Sequence, residues 1–272
     1  MIDLMLAPLV AALILVGIHG YLGIHIIARG VIFVDLALAQ VAALGFTAAT
    51  LLGYAPGSAA AYGISVGATL VGAFMLSVSR VEHEYVTQEA LIGVVYVAAS
   101  AGTILLAAQA PRGSEHVEEL LTGTILWVTW SEIWRTGLVY AAVGAIHWVL
   151  HKKFFTISLE PDKAAAEGWR LRWWDFVFYG LFGIVVTSSV GIAGVLVVFS
   201  FLVIPAVVAF MWVSSPARLL AVAWTVGALA ALAGLLISFQ FDLPTGPVIV
   251  VTFAAVLVSA FALKRLAPGS TT

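Results

Sequence analysis

The sequence predicts an all-α fold, a polytopic integral membrane helical bundle with eight or nine transmembrane helices. Of the 272 residues, 62% are hydrophobic and only 10% are charged, whereas a soluble domain carries about 25% charged residues. Apolar stretches of roughly 18–25 residues recur along the chain, and each is long enough to cross a hydrocarbon core about 30 Å thick. There is too little polar surface to cover a water-facing globule, so lipid is the expected solvent.

Nine apolar stretches follow one another and are expected to form a single transmembrane domain over residues 1–272. They cover residues 4–28, 31–52, 59–78, 90–110, 133–150, 173–190, 192–213, 219–239 and 246–263. The sixth and seventh adjoin each other, and as one helix they would be roughly twice as long as the bilayer is thick. The sequence Ser188-Ser189-Val190-Gly191 is the expected place for a tight turn between them. If this turn lies within the membrane, the count is eight.

The basic residues predict which gaps face the cytoplasm. Every second gap contains Lys or Arg, as the positive-inside rule requires, and these residues are Arg29, Arg80, Lys152, Lys153, Lys163, Arg170, Arg172, Arg218, Lys264 and Arg265. The exceptions, Arg112 and Arg135, flank one intervening loop. The rule predicts an N-terminus outside, a cytoplasmic C-terminus, a cytoplasmic segment at about 152–172 and an extracytoplasmic loop at about 111–132. In that loop residues 120–130 are apolar but too short to span, which predicts a short interfacial or re-entrant helix.

Composition and missing motifs exclude several functions. The net charge of −2 argues against a nucleic-acid partner. The chain has no Cys, so disulfides and thiolate metal sites are excluded. No G-x-x-x-x-G-K-[ST] sequence is present, so an ATP-driven process needs its motor on another chain. No intramembrane catalytic motif is present either, and we do not expect an enzyme.

A few polar side chains fall inside the predicted spans, where they usually face a cavity or a partner. Asp35 and Gln40 lie on the second span, His19 lies on the first, and Glu89 begins the fourth. A carboxylate, an amide oxygen and an imidazole from adjacent helices suit a divalent cation. The alternative is that Asp35 pairs with Arg29 or another donor and that His19 is a neutral packing residue.

Four regions of the chain resemble the membrane permease subunits of metal-type ABC importers, which take up zinc, manganese or iron with a solute-binding protein. The first is GYLGIHIIARGVIFVDLALAQVAALGFTAATLLGY at 20–54. The others are residues 88–108 followed by 118–134, EPDKAAAEGW at 160–169, and GVLVVFSFLVIPAVVAF at 194–210 with SFQFDLPTGPVIV at 238–250. The resemblance extends over nearly the whole chain in the family's order.

The resemblance implies a type II ABC importer-like permease that works by alternating access in a bacterial or archaeal plasma (inner) membrane. The implied partners are a second copy of the chain, two cytoplasmic ABC ATPase subunits and an extracytoplasmic metal-binding protein. No cofactor would be bound permanently, because the divalent metal ion is cargo. The resemblance assigns ATPase coupling to Glu160, Pro161, Asp162, Ala165, Glu167 and Gly168, and a structural C-terminal signature to Pro205, Asp242, Pro244 and Gly246.

The coupling segment can also be interpreted from its own residues. The core at 162–167 favours a short helix, and Gly168 is placed to end it. A short cytoplasmic helix is a suitable binding surface for an ATPase subunit. The alternative is an ordinary solvated loop.

The second helix departs from the family pattern of Gly-Asp followed four residues after the Asp by a His. Aligned on Gly45, the chain has Gln40 in place of the His and Leu36 in place of the Asp, with Asp35 one residue earlier. That offset rotates the side chain by about 100° around the helix, whereas Glu89 keeps the family's acidic character. Either the metal is harder than zinc, or His19 substitutes as a ligand, or the cargo is not a bare metal ion.

Other functions remain open at this point. An ABC permease for a metal chelate or a small organic solute would keep the same assembly. A secondary ion-coupled transporter would show inverted repeats and a midplane site. A membrane-embedded enzyme would need a paired nucleophile and base. We identify neither of the last two sets of features in the sequence.

Overall fold

The computed structural model describes residues 2–78, 87–109, 113–123 and 125–266, which leaves Arg80 and Arg112 outside the described residues. The described part of the chain forms twelve α-helices and one 3-10 helix, Ile125–Trp127, without any strand. The α-helices are α1 (Ile2–Arg29), α2 (Val34–Leu51), α3 (Ala59–Val78), α4 (Gln88–Ala107), α5 (Gly113–Thr122), α6 (Trp130–Val149), α7 (His151–Leu159), α8 (Pro161–Ala166), α9 (Leu171–Ala193), α10 (Val195–Trp212), α11 (Pro216–Phe241) and α12 (Thr245–Leu266). The all-α prediction is confirmed.

Eight helices among the described residues, α1–α4 and α9–α12, are long and apolar enough to cross a bilayer. The helix α6 meets the same standard only together with α7, from which it is bent by 75°. The prediction of eight or nine spans is therefore confirmed. The count depends on the fifth apolar stretch, however, and not on the boundary between the sixth and seventh.

The turn predicted at residues 188–191 is wrong, because α9 continues to Ala193. The hydroxyls of Ser188 and Ser189 donate to carbonyl oxygens one turn earlier, at 2.9 and 2.6 Å. These bonds satisfy both serines without ending the helix. The break between α9 and α10 falls at Gly194, with φ 77° and ψ 160°, a conformation open almost only to glycine.

The helix predicted at residues 120–130 is not continuous. The helix α5 ends at Thr122, and the 3-10 helix Ile125–Trp127 follows after a break. The helix α6 begins after Thr129, which forms a capping box with Glu132. Such reciprocal bonds satisfy backbone N–H groups that the first helical turn leaves without partners.

Contacts between helix termini define two ends of the bundle. At the α5 end, a Cβ added to Gly194 would overlap the backbone of Gly123, and one added to Gly246 would overlap the Thr122 carbonyl. These close approaches hold the α5 loop (Thr122 and Gly123, at the end of α5) against the α9–α10 break and the first turn of α12. At the α8 end, Arg29 at the end of α1 donates to Ser158 of α7 at 2.9 Å. Charged groups and the short helices α7 and α8 gather there.

The helix α6 runs between these two ends. Its first turns line a cavity at the α5 end, where Thr136 faces the same space as Thr50 of α2. Its last turns bring the His147 ring to 5.4 Å from Tyr21 and 5.7 Å from Phe178, measured between ring centroids. Phe178 lies under the Arg29 guanidinium at the α8 end. With 20 residues, α6 is as long as α3 and α4.

The interior of the bundle consists mainly of α1, α2, α9 and α10, and the outer layer includes α4 and α12. About 72% of the span in α9 is buried within the chain, compared with 22% in α4 and in α12. Large apolar side chains such as Val94, Leu105 and Val258 point outward from the outer helices. Lipid or a neighbouring helix is the expected cover for such faces.

Candidate functional site

Asp35 lies in the first turn of α2 and is fully buried. Neither of its carboxylate oxygens has a hydrogen-bond partner among the described residues. The predicted alternative, a pair with Arg29, is wrong, because Arg29 donates to Asp175 of α9 at 2.6 Å. A buried carboxylate without a donor is costly, so Asp35 is the most unusual polar group in the predicted path.

Gln40 lies one and a half turns further along α2 and is 5% exposed. The neighbouring helix α3 packs closely against this part of α2. The hydroxyl of Ser65 donates to the Ala42 carbonyl at 2.8 Å, and a Cβ added to Gly45 would collide with the Ser65 backbone. Asp35 and Gln40 therefore belong to a helix that is enclosed on several sides.

His19 belongs to a hydrogen-bond chain that joins three helices. Its Nδ1 donates to the Leu15 carbonyl at 2.8 Å, and its Nε2 lies 3.2 Å from the Ser189 hydroxyl. The Tyr140 hydroxyl of α6 lies 2.5 Å from the same Ser189 oxygen. Both ring nitrogens have partners within the chain, which is the arrangement of a packing residue.

Glu89 lies in the first turn of α4 and is bonded to the backbone of the chain just before α2. Its Oε1 accepts a hydrogen bond from the Ile32 backbone N–H at 2.9 Å. Ile32 belongs to the α1–α2 linker, residues 30–33, which precedes Asp35. The described residues contain no group of three or more His, Asp or Glu side chains arranged to hold a metal. The assignment of Asp35, Gln40, His19 and Glu89 to a translocation path stays a prediction.

The predicted coupling segment contains the helix α8, in agreement with the helix expected there. Glu160 precedes it, Pro161 is its first residue, and Gly168 with φ +77° follows its end. Pro and a left-handed Gly are the residues that favour such a start and stop. Only one α8 side chain, that of Ala164, is buried. Most of the segment is therefore exposed in a single chain, including Asp162, Ala165 and Glu167.

One ion pair lies within this segment. Lys163 approaches Glu160 to 3.0 Å across one helical turn. The hydrogen bond that Lys163 donates to Glu160, together with the negative charge of Glu160, raises the pKa of Lys163. Both side chains are more than half exposed, so the pair adds little stability in water. It leaves the surface of α8 charged and accessible.

The C-terminal signature residues occupy structural positions. Pro205 lies within α10, where its ring faces Gly227 of α11. Asp242 ends α11 in the left-handed conformation, with φ 51°. Pro244 precedes α12 and accepts a hydrogen bond from Val248, and Gly246 approaches the Thr122 carbonyl. Asp242, Pro244 and Gly246 thus set the α11–α12 turn and its contact with the α5 loop, whereas Pro205 packs α10 against α11.

Two features of the structure were not predicted from the sequence. The first is the buried pair of Arg29 and Asp175, which lie 146 positions apart. The second is a cavity of about 170 Å³ at the α5 end, lined in part by Tyr62, Glu119 and Glu132. Their only signal in the sequence was the presence of polar residues near the ends of apolar stretches. Which of these polar residues come into contact depends on how the helices pack.

Comparison with known proteins identifies the family. A model of the ABC 3 transport family matches residues 1–264. The chain belongs to the ABC 3 transport family. This match, together with relatives named for manganese and iron transport, confirms the predicted resemblance to the permeases of metal-type ABC importers.

Relatives of this ABC 3 family chain have names that refer to metals. The manganese transport system membrane protein MntC of Listeria innocua is 27% identical over 246 residues, which cover 90% of this chain and 85% of MntC. The chelated iron transport system membrane protein YfeD of Yersinia pestis is 26% identical over 187 residues, 69% of this chain and 63% of YfeD. PsaBC of Streptococcus pneumoniae, solved in complex with a Fab, matches with a TM-score of 0.80 at 22% identity, covering 95% and 91% of the two chains. That likeness shows a shared fold.

Proposed function

We propose that this ABC 3 family chain is the permease subunit that carries a divalent transition metal ion into the cytoplasm. The buried, unpartnered carboxylate of Asp35 is the observation that carries the proposal. An anionic group within a span is costly unless a cation or a donor compensates it. A passing metal ion supplies that compensation for as long as it stays in the path.

The donor set around α2 favours manganese or iron(II) over zinc. Asp35 and Gln40 offer oxygen atoms, and both nitrogens of His19 already have partners. Oxygen donors suit Mn²⁺, whereas imidazole and thiolate favour zinc. The relatives named for manganese and iron transport support the same choice.

The assembly we propose contains two copies of this chain, two cytoplasmic ATPase subunits and an extracytoplasmic binding protein. The exposed α8 is the surface offered to the ATPase, because a short helix with one buried side chain has most of its surface free for a partner. ATP binding would close the ATPase dimer and displace α8. The path around α2 would then change its access from one side of the membrane to the other.

Manganese uptake by the reconstituted complex tests this function. Asp35→Asn keeps the shape of the side chain but removes its charge, and we expect uptake to fall at least about tenfold, the equivalent of about 1.4 kcal/mol. The control is Glu118→Gln, which removes a carboxylate from an exposed position. Assembly with the ATPase should be the same for both variants.

Two results would overturn the proposal. Unchanged uptake in the Asp35→Asn variant would remove this residue from the path. If manganese, iron(II) and zinc, each supplied with the binding protein, all failed to stimulate the wild-type ATPase, a bare metal ion would be rejected as cargo. Stimulation by a metal chelate alone would then identify the alternative ABC cargo.

A further inference from the structure

The α1–α2 linker connects the last residue of α1 to the helix that carries Asp35. It begins at Gly30, whose φ of +67° turns the chain sharply after Arg29. Backbone bonds close this turn, including one from Val34 to the Val31 carbonyl at 3.1 Å. Asp35 follows immediately in α2. A displacement of the linker therefore moves the first turn of α2.

Arg29 ties the start of this linker to two other helices. Its Nε donates to the Ser158 hydroxyl of α7 at 2.9 Å, and its Nη1 donates to Asp175 of α9 at 2.6 Å. The guanidinium carbon also lies 4.0 Å from the centre of the Phe178 ring. The side chains of Arg29 and Asp175 are only 6% and 3% exposed. Charge-assisted bonds in such surroundings are short and directional.

Glu89 holds the same linker from another side. Its carboxylate accepts from the Ile32 N–H at 2.9 Å and so links the first turn of α4 to the linker. This N–H lies just before α2, where a backbone donor has no partner within a helix. Glu89 therefore fixes the orientation in which the chain enters α2.

The helix α7 connects this arrangement to α8. A single residue, Glu160, separates the two helices and forms the end of one and the start of the other. On α7, Ser158 lies two positions before Glu160 and is 3% exposed. Its hydroxyl contacts Arg29 and also lies 3.0 Å from His25 Nδ1. A displacement of α8 thus reaches Arg29 through one short helix.

We propose that Arg29, Ser158 and Glu89 are positioning residues of a joint that transmits movement of α8 to the Asp35 end of α2. The proposal rests on the ABC permease function proposed above. In this joint, Ser158 makes the contact on the side of α7 and α8, and Arg29 connects that contact to the start of the α1–α2 linker. Glu89 holds the linker from the side of α4 and so sets the direction in which α2 moves. Glu89 acts here through the backbone of the linker and not as a ligand of the transported ion.

The contact between Ser158 and Arg29 can be removed without deleting either member of the ion pair of Arg29 and Asp175. Ser158→Ala deletes the hydroxyl that meets Arg29 and leaves Arg29 and Asp175 in place. Ser200→Ala is the matched control, because Ser200 is equally buried but its hydroxyl bonds only a carbonyl of its own helix. We expect Ser158→Ala to lower the number of ions moved per ATP hydrolysed by at least about fivefold, within the usual range of coupling effects. ATP hydrolysis and thermal stability should stay near those of the control.

Glu89 is tested by a pair of variants. Gln at position 89 still offers an oxygen to the Ile32 N–H, whereas Ala does not. We expect Glu89→Gln to keep the ratio of transport to hydrolysis and Glu89→Ala to lose it. If Glu89→Gln is as defective as Glu89→Ala, the charge itself is needed, and Glu89 belongs to the ion path and not to the joint.

A distance measurement tests the joint independently of the cargo. The chain has no Cys, so spin labels can be placed at Phe33→Cys, in the α1–α2 linker, and at Val258→Cys on α12, both of which are exposed. In the complex with its ATPase, we expect the distance between the two labels to change when nucleotide is trapped. We expect Ser158→Ala to abolish this change and Ser200→Ala to leave it intact. An unchanged distance in the parent protein, or a full change in Ser158→Ala, would overturn the joint. A normal distance change without metal uptake would instead reject the proposed cargo.

Discussion

Gln40 occupies the position at which the family resemblance leads us to expect a histidine, and this difference predicts a change of metal preference. Gln40→His places a softer nitrogen donor on the helix that carries the buried Asp35, five residues after it. We expect the ratio of zinc-stimulated to manganese-stimulated ATPase activity to rise by about tenfold, a difference of about 1.4 kcal/mol. Gln40→Glu is the control, because it keeps an oxygen donor and should not favour zinc. An unchanged ratio in Gln40→His would place position 40 away from the ion.

The hydrogen-bond chain from Tyr140 through Ser189 to His19 predicts an effect on stability and not on transport. Tyr140→Phe removes the hydroxyl that lies 2.5 Å from Ser189 and leaves the bond from Ser189 to its own helix. We expect a loss of about 1 kcal/mol in the free energy of unfolding, seen as a lower melting temperature in detergent. Uptake per folded complex should be unchanged. Tyr54→Phe, at an exposed position, should melt like the wild type.

At the scale of single residues, the sequence indicated which residues are unusual but not which residues they contact. Asp35, His19 and Glu89 were all recognisable as polar groups in or beside apolar stretches. Arg29 lies six positions before Asp35 in the sequence, yet it pairs with Asp175. Separation along the chain favoured the first pair, whereas the tertiary arrangement that brings the N-terminal part of α9 near the end of α1 determines the second. Single-sequence patterns contain no information about such packing.

At the scale of elements, the break between α9 and α10 predicts that Gly194 cannot be replaced. Gly194→Ala would place a Cβ against the backbone of Gly123 and Thr122 and would impose a backbone conformation that costs about 1–3 kcal/mol by itself. We expect poor membrane expression and a much lower melting temperature. Gly144→Ala is the matched control, because a Cβ there meets nothing within 4 Å and Ala favours a helix over Gly. A normally stable Gly194→Ala protein would contradict the observed contact.

The helices of this chain were easier to predict from the sequence than the residues at which they begin and end. Runs of apolar residues placed eight spans close to their observed positions, because length and hydropathy alone decide whether a helix can cross a bilayer. The break at Gly194 was missed because Ser188 and Ser189 suggested a turn, whereas both hydroxyls bond within α9. The α8 helix was placed nearly correctly, because Pro161 and Gly168 mark its start and end in the sequence itself.

At the scale of the whole molecule, the number of crossings determines on which side each end of the chain lies. Eight spans would put both termini on one side of the membrane, and nine would put them on opposite sides. The structure brings Arg29, α7 and α8 together at one end, and the α5 loop with Gly194 and Gly246 at the other. This separation agrees with the pattern of basic residues that predicted a cytoplasmic α8, although the orientation in the membrane stays a prediction.

Labelling of single cysteines in intact cells tests the nine-span topology. The absence of native Cys means that each introduced cysteine is the only one in the chain. We expect an impermeant maleimide to label Gly57→Cys and Ser131→Cys from outside, and Lys152→Cys and Ala165→Cys only after the cells are permeabilised. All four positions are exposed. Positions 131 and 152 flank α6, so labelling of both from the same side would show that α6 does not cross and would reduce the count to eight. Labelling of position 165 from outside would reverse the orientation and place α8 beyond the reach of a cytoplasmic ATPase.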